Sequence, residues 1–309
     1  MSHVGVMAKL GGVCVGAVWA LLALALAGCA TGPVERVETE PVERVATGPV
    51  ARVGTGVKLA RSAEPEDINA ALRRGTQFLV SYQNKDGSWG TARRTKSLNI
   101  YAPVPGAHHS YRVAVTSLCV MALIEVDLDD AAAAAALKRG AAYLLAELPR
   151  ARRDAPRALY NTWTHAYGIQ ALVRMLGRRP GDKSRCDEIK RQIAQQVDFL
   201  RRFESVNGGW GYYDFRVKTQ RPGSINTSFT TSTGLIALAE ARDVGVAAPR
   251  QLVARAIDAV KRQRNPDMTY LYSSGMVPYG RVRGINRAAG SLGRSQVCNL
   301  ALRHWGDAK

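Results

Sequence analysis

The sequence is poor in cysteine, and its few cysteines are not arranged for cross-linking or metal binding. Five cysteines occur in 309 residues, and two of them, Cys14 and Cys29, lie in or directly after an apolar N-terminal segment. None of the other three, Cys119, Cys186 and Cys298, belongs to a Cys-x-x-Cys pair or a Cys/His cluster. This pattern argues against a disulfide framework and a structural zinc site, so no metal or cofactor is expected.

The N-terminal segment has the parts of a secretory signal. Lys9 precedes an apolar run from Leu10 to Leu26, and small residues follow it. The sequence Leu26-Ala27-Gly28-Cys29 resembles the lipobox of bacterial lipoproteins. That resemblance implies a signal peptide over 1–28 and a lipid on Cys29 that holds the exported chain to a membrane. By resemblance to enterobacterial lipoprotein sorting, Ala30 rather than Asp after the cysteine implies the outer membrane. The alternative is an uncleaved anchor, although the run is at the short limit of the roughly 17–25 residues that a span needs.

Large hydrophobic side chains other than valine are missing from residues 31–56. A short unit recurs there with a period of eight, and each copy carries a proline: Pro33, Pro41 and Pro49. Proline opposes helix formation, and valine alone cannot build a core. Residues 29–65 are therefore predicted to be a lipidated, semi-extended tether. A partner-binding role for the repeat is the alternative.

Acidic residues are scarce relative to basic ones. The chain has 43 Lys and Arg against 25 Asp and Glu, and residues 66–309 carry almost all of the excess, a net charge of +17. A basic surface suggests an anionic partner, which for an exported protein means an anionic lipid or an acidic glycan rather than nucleic acid. Solvated, arginine-rich helix faces are the alternative explanation.

Residues 66–309 also lack a convincing set of strands and instead show helical periodicity. The predicted helices run over about 66–83, 111–126, 130–148, 160–178, 183–205, 226–243, 249–264 and 287–305, with loops rich in Gly, Pro, Asn and Asp between them. The pattern predicts an all-α domain.

The even-numbered helices share an internal repeat. Each carries an alanine with a small residue three positions before it, and the pairs are Cys119/Ala122, Gly168/Ala171, Gly234/Ala237 and Cys298/Ala301. Such a narrow stripe predicts close helix packing, whereas the odd-numbered helices carry bulky pairs such as Phe78-Leu79. Alternation of narrow and bulky helices is typical of a two-layer arrangement of helical hairpins.

Two turns carry a motif known from one superfamily. Gln83-Asn84-Lys85-Asp86-Gly87-Ser88-Trp89 is a full copy, and Glu204-Ser205-Val206-Asn207-Gly208-Gly209-Trp210 is a second copy with two substitutions. They resemble the QW motif, Q-x-x-D-G-x-W, of squalene cyclases and the prenyltransferase/squalene oxidase repeat superfamily. The resemblance implies an α/α toroid over 66–309. About four hairpins are present, fewer than closed toroids of this kind usually have, so the ring is open, completed by a partner or shorter than in relatives. The motif residues expected to be structural are Gln83, Asp86, Gly87, Trp89, Asn207, Gly208 and Trp210.

The catalytic residues of the superfamily are not found at their expected positions. Asp127-Leu128-Asp129-Asp130 has the D-x-D-D spelling of the cyclase acid, but it follows an even-numbered helix and is predicted to be a helix N-cap. Tyr111-Arg112-Val113-Ala114 occupies the catalytic place and contains no carboxylate. The Asp–Cys ligand pair of protein prenyltransferases is absent as well. The sequence therefore favours a domain that is not an enzyme.

A polar and aromatic set remains at the starts of the even-numbered helices. Such side chains suit a sugar or a lipid headgroup. His165 is the one weak candidate for an acid or base, and the predicted ligand-binding residues are His109, Tyr111, Thr116, Tyr160, Trp163, His165, Asn226, Phe229 and Thr231. We expect a lipid-anchored binding or scaffold module at the cell envelope whose partner is an anionic lipid, a glycan or an envelope protein. The alternative is an enzyme, either a terpenoid cyclase or prenyltransferase relative or a polysaccharide-acting toroid with altered catalytic residues.

Overall fold

A computed structural model of the chain describes residues 64–91, 107–153, 158–178, 181–214, 222–223, 225–275 and 284–307. The predicted signal peptide, Cys29 and the tether lie outside these ranges. So do Tyr279, Arg281 and Arg283 of the loop before the last helix.

The described residues form eight α-helices. They are α1 Pro65–Ser81, α2 Ala107–Val126, α3 Ala131–Glu147, α4 Asn161–Arg178, α5 Lys183–Arg202, α6 Ser228–Asp243, α7 Arg250–Arg262 and α8 Ala288–His304. Short 3₁₀ turns cover Leu148–Arg150 and Gly284–Asn286, and no strand occurs within the described ranges beyond isolated β-bridges. The all-α prediction is confirmed, and α2 begins four residues earlier than the sequence pattern indicated.

The helices form two layers of antiparallel hairpins. The inner helices α2, α4, α6 and α8 pack against one another in series, and α1, α3, α5 and α7 cover them from outside. Helices α2 and α8 share no comparable contact within the described part of the chain, so the four hairpins form an arc of the α/α-toroid type. Helix α2 is long and apolar enough to cross a membrane, but its packing among α1, α3 and α4 accounts for that composition.

The small stripe of the inner helices has a different role from the predicted one. The four alanines are buried as expected. However, a Cβ atom added to Gly168 would lie 2.6 Å from Leu148, and one added to Gly234 would lie 2.7 Å from the ring of Trp210. The glycines therefore make room for a bulky side chain from the preceding turn, rather than for a neighbouring helix backbone.

The two QW turns are built alike. The indole Nε1 of Trp89 donates to the carbonyl of Leu79 at 2.8 Å, and that of Trp210 donates to Leu200 at 2.8 Å. Gly87 and Gly208 adopt left-handed backbone angles with φ of 87° and 82°. Each turn thus connects its tryptophan to the last turns of the outer helix that precedes it.

A third turn of the same construction follows α7, where no QW motif is present in the sequence. The amide of Asn265 donates to Thr269 O at 2.7 Å, as that of Asn84 donates to Ser88 O at 2.8 Å. The Thr269 hydroxyl donates to Asp267 at 2.6 Å, as the Ser88 hydroxyl donates to Asp86. Tyr270 is fully buried at the position of the tryptophan, and Met268 takes the left-handed position with φ of 64°. The fourth hairpin is therefore a full member of the repeat.

Candidate functional site

Seven aromatic rings meet at one end of the inner layer, where the inner helices begin. We call this set the aromatic cluster, and its members are Tyr111, Tyr160, Trp163, Tyr212, Tyr213, Phe229 and Tyr272. Tyr160 is buried and the other six are half-buried, so the cluster keeps some ring surface accessible.

The rings form a continuous chain of contacts across three inner helices. Tyr111 lies 4.6 Å from Tyr160 between ring centroids, and Trp163 stacks on Tyr212 at 4.8 Å. At the other side Phe229 contacts Tyr272 at 5.1 Å. Aromatic pairs at such separations attract one another beyond the effect of burial alone.

Hydroxyl groups within the cluster bond to one another. The Tyr160 hydroxyl donates to that of Tyr213 at 3.0 Å, and the hydroxyls of Tyr212 and Tyr272 are hydrogen-bonded. Burial, together with these bonds, raises the pKa of Tyr160 and of Tyr212, so both phenols are neutral at physiological pH. The cluster offers ring faces and neutral hydroxyls to a ligand.

Main-chain bonds between connecting segments hold the cluster in place. The amide of Leu159 donates to Tyr212 O at 2.9 Å, beside a β-bridge between Ala158 and Tyr213. A second bridge joins Thr227 to Ser273. These contacts bring the residues after the second QW turn next to the starts of α4 and α6.

Four of the sequence-predicted residues belong to this cluster: Tyr111, Tyr160, Trp163 and Phe229. Sequence reasoning did not identify Tyr212, Tyr213 or Tyr272 as members of this site. The signal that could have found the first two is their position directly after Trp210-Gly211, because the QW turn ends where the inner helix begins.

His165 does not reach the aromatic cluster, which corrects its assignment as a ligand or catalytic candidate. Its ring is fully buried, stacks on Phe199 at 4.8 Å and bonds through Nδ1 to Gln196 Oε1 at 2.7 Å. Burial lowers the pKa of His165 to about 4, so the imidazole is neutral near pH 7. It is a satisfied residue between α4 and α5.

The predicted Thr116, Thr231 and Asn226 are also occupied by structural hydrogen bonds. Thr116 Oγ1 accepts the amide of Trp89 at 2.9 Å, and Thr231 Oγ1 accepts that of Trp210 at 3.0 Å. The Asn226 amide donates to Gly208 O at 2.6 Å. All three are buried and hold QW turns to inner helices, so they are not available to a ligand.

The D-x-D-D sequence lies at the opposite end of the inner layer from the aromatic cluster. Asp130 is the N-cap of α3, where its carboxylate accepts the amide of Ala133 at 2.9 Å. Asp127 forms an ion pair with Arg178. Neither carboxylate is placed to protonate a ligand at the aromatic cluster.

A row of charges crosses the inner layer at the same far end. Arg174 of α4 bonds to Glu125 of α2 at 2.8 Å and to Glu240 of α6 at 2.7 Å. Burial raises the pKa of Glu240 even though Arg174 opposes that shift. Both carboxylates are therefore held by one guanidinium that joins three hairpins.

The side chain of His109, on the first turn of α2, contacts the outer helix α3. Its Nε2 contacts Glu147 at 2.9 Å in an open groove between the first QW turn and α3. His109, predicted to bind a ligand with the other residues of the set, therefore lies in a different groove from the aromatic cluster, because its side chain faces α3.

A family model described as the squalene-hopene cyclase C-terminal domain matches residues 50–274, most of the chain. No curated protein matches the sequence.

Proposed function

Since the chain belongs to the squalene-hopene cyclase C-terminal domain family, we propose that it uses this fold to bind an envelope lipid or glycan without converting it. We further propose that the protein is an exported lipoprotein, held through Cys29 to a membrane, the outer membrane being favoured. The aromatic cluster is the observation that carries the binding proposal.

The aromatic cluster suits binding by contact with ring faces. Half-buried Trp and Tyr side chains combine apolar area with hydroxyl groups that can orient a ligand. Its rings come from all four hairpins, so it is pre-organised by the repeat rather than by one flexible loop. Pre-organised side chains lose little entropy on binding.

The surroundings of the aromatic cluster support binding over proton-driven chemistry. A general acid must reach the reacting group and carry a proton at the working pH. His165 is enclosed and neutral, and Glu125 and Glu240 are paired with Arg174 at the far end. The enzyme alternative rests on the family relationship, and conversion of squalene or a polyprenyl substrate by the purified chain would favour it.

Co-purification tests the binding proposal. The full-length chain is isolated from membranes in mild detergent, and bound lipids and glycans are identified by mass spectrometry. We expect one class to be enriched with the wild type and reduced about tenfold in Trp163→Leu, which removes the largest ring of the aromatic cluster. Tyr82→Leu is the matched control, because Tyr82 is an exposed aromatic residue of the outer layer. Equal recovery from all three proteins would contradict the proposal.

A separate experiment tests the anchor. Radiolabelled fatty acid should be incorporated into the wild type and not into Cys29→Ser, and the label should follow the outer-membrane fraction on a density gradient. Label in Cys29→Ser, or a wild type without label, would contradict lipidation.

A further inference from the structure

Two grooves occupy the same place in different repeats, and only one of them has a surplus of positive charge. The first groove, ≈ 570 Å³, lies between the first QW turn and α3; the second, ≈ 410 Å³, lies between the second QW turn and α7. Arg139 lines the first and Arg255 the second, and each guanidinium contacts the first residue of its QW motif.

The second groove has no surplus of positive charge. Arg255 forms two bonds of 2.7 Å with the two carboxylate oxygens of Glu204, whose side chain is fully buried. Arg262 is paired with Asp258. Each cation that lines this groove therefore already has a carboxylate partner.

The first groove has a neutral residue at the first position of its QW motif, where the second groove has Glu204. Gln83 replaces the glutamate, so Arg139 donates from Nε at 2.9 Å and from Nη2 at 2.5 Å to a neutral amide oxygen. Within the described ranges, neither Arg139 nor the exposed Lys85 has a carboxylate partner. Both cations line the groove.

The acids of the first groove do not neutralise these two cations, because they are already paired. Asp86 accepts from Arg112 at 2.5 Å, and Glu147 contacts His109 and Arg150 at 2.9 and 2.8 Å. Burial tends to raise the pKa of Asp86, but bonds from Ser88 and Arg112 outweigh it and keep that pKa below its usual value. The surplus of two positive charges therefore persists at neutral pH.

The wall of the first groove also leaves room for the body of a ligand. Ala142 and Ala146 stand at the positions that Asp258 and Arg262 hold in the second groove. Tyr143 adds a half-buried ring beside them. Small and aromatic side chains make an apolar floor next to the two cations.

We propose that the first groove is a binding site for a phosphate group carried on a small polyol or sugar. Lys85 and Arg139 hold the phosphate, because a guanidinium and an ammonium are the groups that bind phosphate oxygens in charge-assisted hydrogen bonds. Tyr143 and the two alanines contact the carbon body. The site lies on the outer layer and is independent of the aromatic cluster.

Isothermal titration of the full-length chain in detergent tests the site. The probes are glucose 1-phosphate, neutral glucose, and soluble short-chain dihexanoylphosphatidylglycerol, which presents a phosphodiester in a lipid headgroup. We expect millimolar or tighter binding of a phosphate probe and none of glucose. Tighter binding of the sugar phosphate assigns the source to a free metabolite or glycan, and tighter binding of the lipid assigns it to a headgroup.

Gln83→Glu is the decisive variant, because it copies the residue that neutralises Arg255 in the second groove. We expect it to weaken binding about tenfold, the loss of one charge-assisted contact. Lys85→Ala should act similarly, and it leaves the hydrogen bonds of Gln83, Asn84 and Asp86 within the QW turn in place. Lys138→Ala, at an exposed site outside the groove, is the charge-matched control. Absence of phosphate binding by the wild type, or equal binding by all variants, would overturn the proposal. Retained binding at the aromatic cluster in the same variants keeps the two sites distinguishable.

Discussion

At the residue scale, the placement of His165 has a measurable consequence for acid stability. Its pKa is lowered to about 4 in the folded chain from the ordinary 6.5, because burial disfavours the charged ring. Between these values the unfolded chain binds the proton more strongly, so stability falls as pH drops from about 6.5 to about 4. The contribution approaches about 3 kcal/mol at the acid end.

His165→Gln should remove that part of the pH dependence. Denaturant unfolding at pH 7 and pH 4.5 measures the difference in the free energy of unfolding for both proteins. A smaller drop in the variant supports the burial of a neutral imidazole, while equal drops would show that other groups account for the acid sensitivity.

Met268 is a second residue with a predicted effect on stability. It holds φ of 64° at the position that Gly87 and Gly208 occupy in the other turns. Left-handed backbone costs a non-glycine residue about 1 kcal/mol, and Met268 is 55% exposed, so little packing is lost with it. Met268→Gly should therefore raise the free energy of unfolding by about 1 kcal/mol in a thermal or denaturant melt.

The reverse change provides the control. Gly87→Ala should be destabilising, since its φ is 87° and the new Cβ would meet the backbone oxygen of Arg139 at 2.6 Å. If Met268→Gly does not raise the free energy of unfolding, the left-handed backbone at Met268 is not strained. The third turn would then differ from the first, in which a non-glycine residue is expected to be strained.

At the scale of elements, two glycines of the inner helices pack directly against bulky side chains of the preceding turns. Gly234→Ala should destabilise the chain by about 1–3 kcal/mol, because its Cβ would overlap the Trp210 ring. Gly177→Ala is the matched helical control, with no atom within 4 Å of its new Cβ, and should be neutral or slightly stabilising. Similar effects of the two substitutions on the melting temperature would refute this packing.

The sequence predicted the eight helices well, because their apolar periodicity and their Gly and Pro boundaries are local signals. It predicted two QW turns and missed the third. In the third turn, the glutamine, glycine and tryptophan of the motif are replaced by Arg264, Met268 and Tyr270. The hydrogen bonds among Asn265, Asp267 and Thr269 nevertheless preserve the turn. The hydrogen bonds of the turn tolerate these replacements. A search for the QW sequence motif therefore does not find the third turn.

Five of the nine predicted site residues lie outside the aromatic cluster, and three of these were misplaced for a related reason. Thr116, His165 and Thr231 share a register on the inner helices, and that register faces the outer layer. Helical spacing shows which residues share a face of a helix. Only tertiary packing determines which other element covers that face. The aromatic residues were identified correctly because four of them stand at helix starts that meet at one end.

At the scale of the whole molecule, one guanidinium joins three of the four hairpins. Arg174→Met would leave Glu125 and Glu240 without their partner, and an uncompensated, largely buried charge costs about 3 kcal/mol. The variant should recover relative to the wild type on acidification from pH 7 to 5, because protonation of a carboxyl whose pKa is raised in the folded state stabilises that state.

Arg191→Met is the control, since its ion pair with Glu188 is solvent-exposed and worth little. Unfolding monitored by circular dichroism should show a large loss in the first variant and almost none in the second. Equal losses would mean that the inner row does not hold the arc together.

The central claim is that the domain holds its ligand at the aromatic cluster and leaves it chemically unchanged. The most direct measurement is the mass spectrum of the co-purified ligand before and after prolonged incubation with fresh wild-type chain at stoichiometric concentration. An unchanged mass, with the ligand retained by the wild type and released by Trp163→Leu, is the result we predict. A new product mass that depends on the protein would contradict the claim and identify the chain as an enzyme.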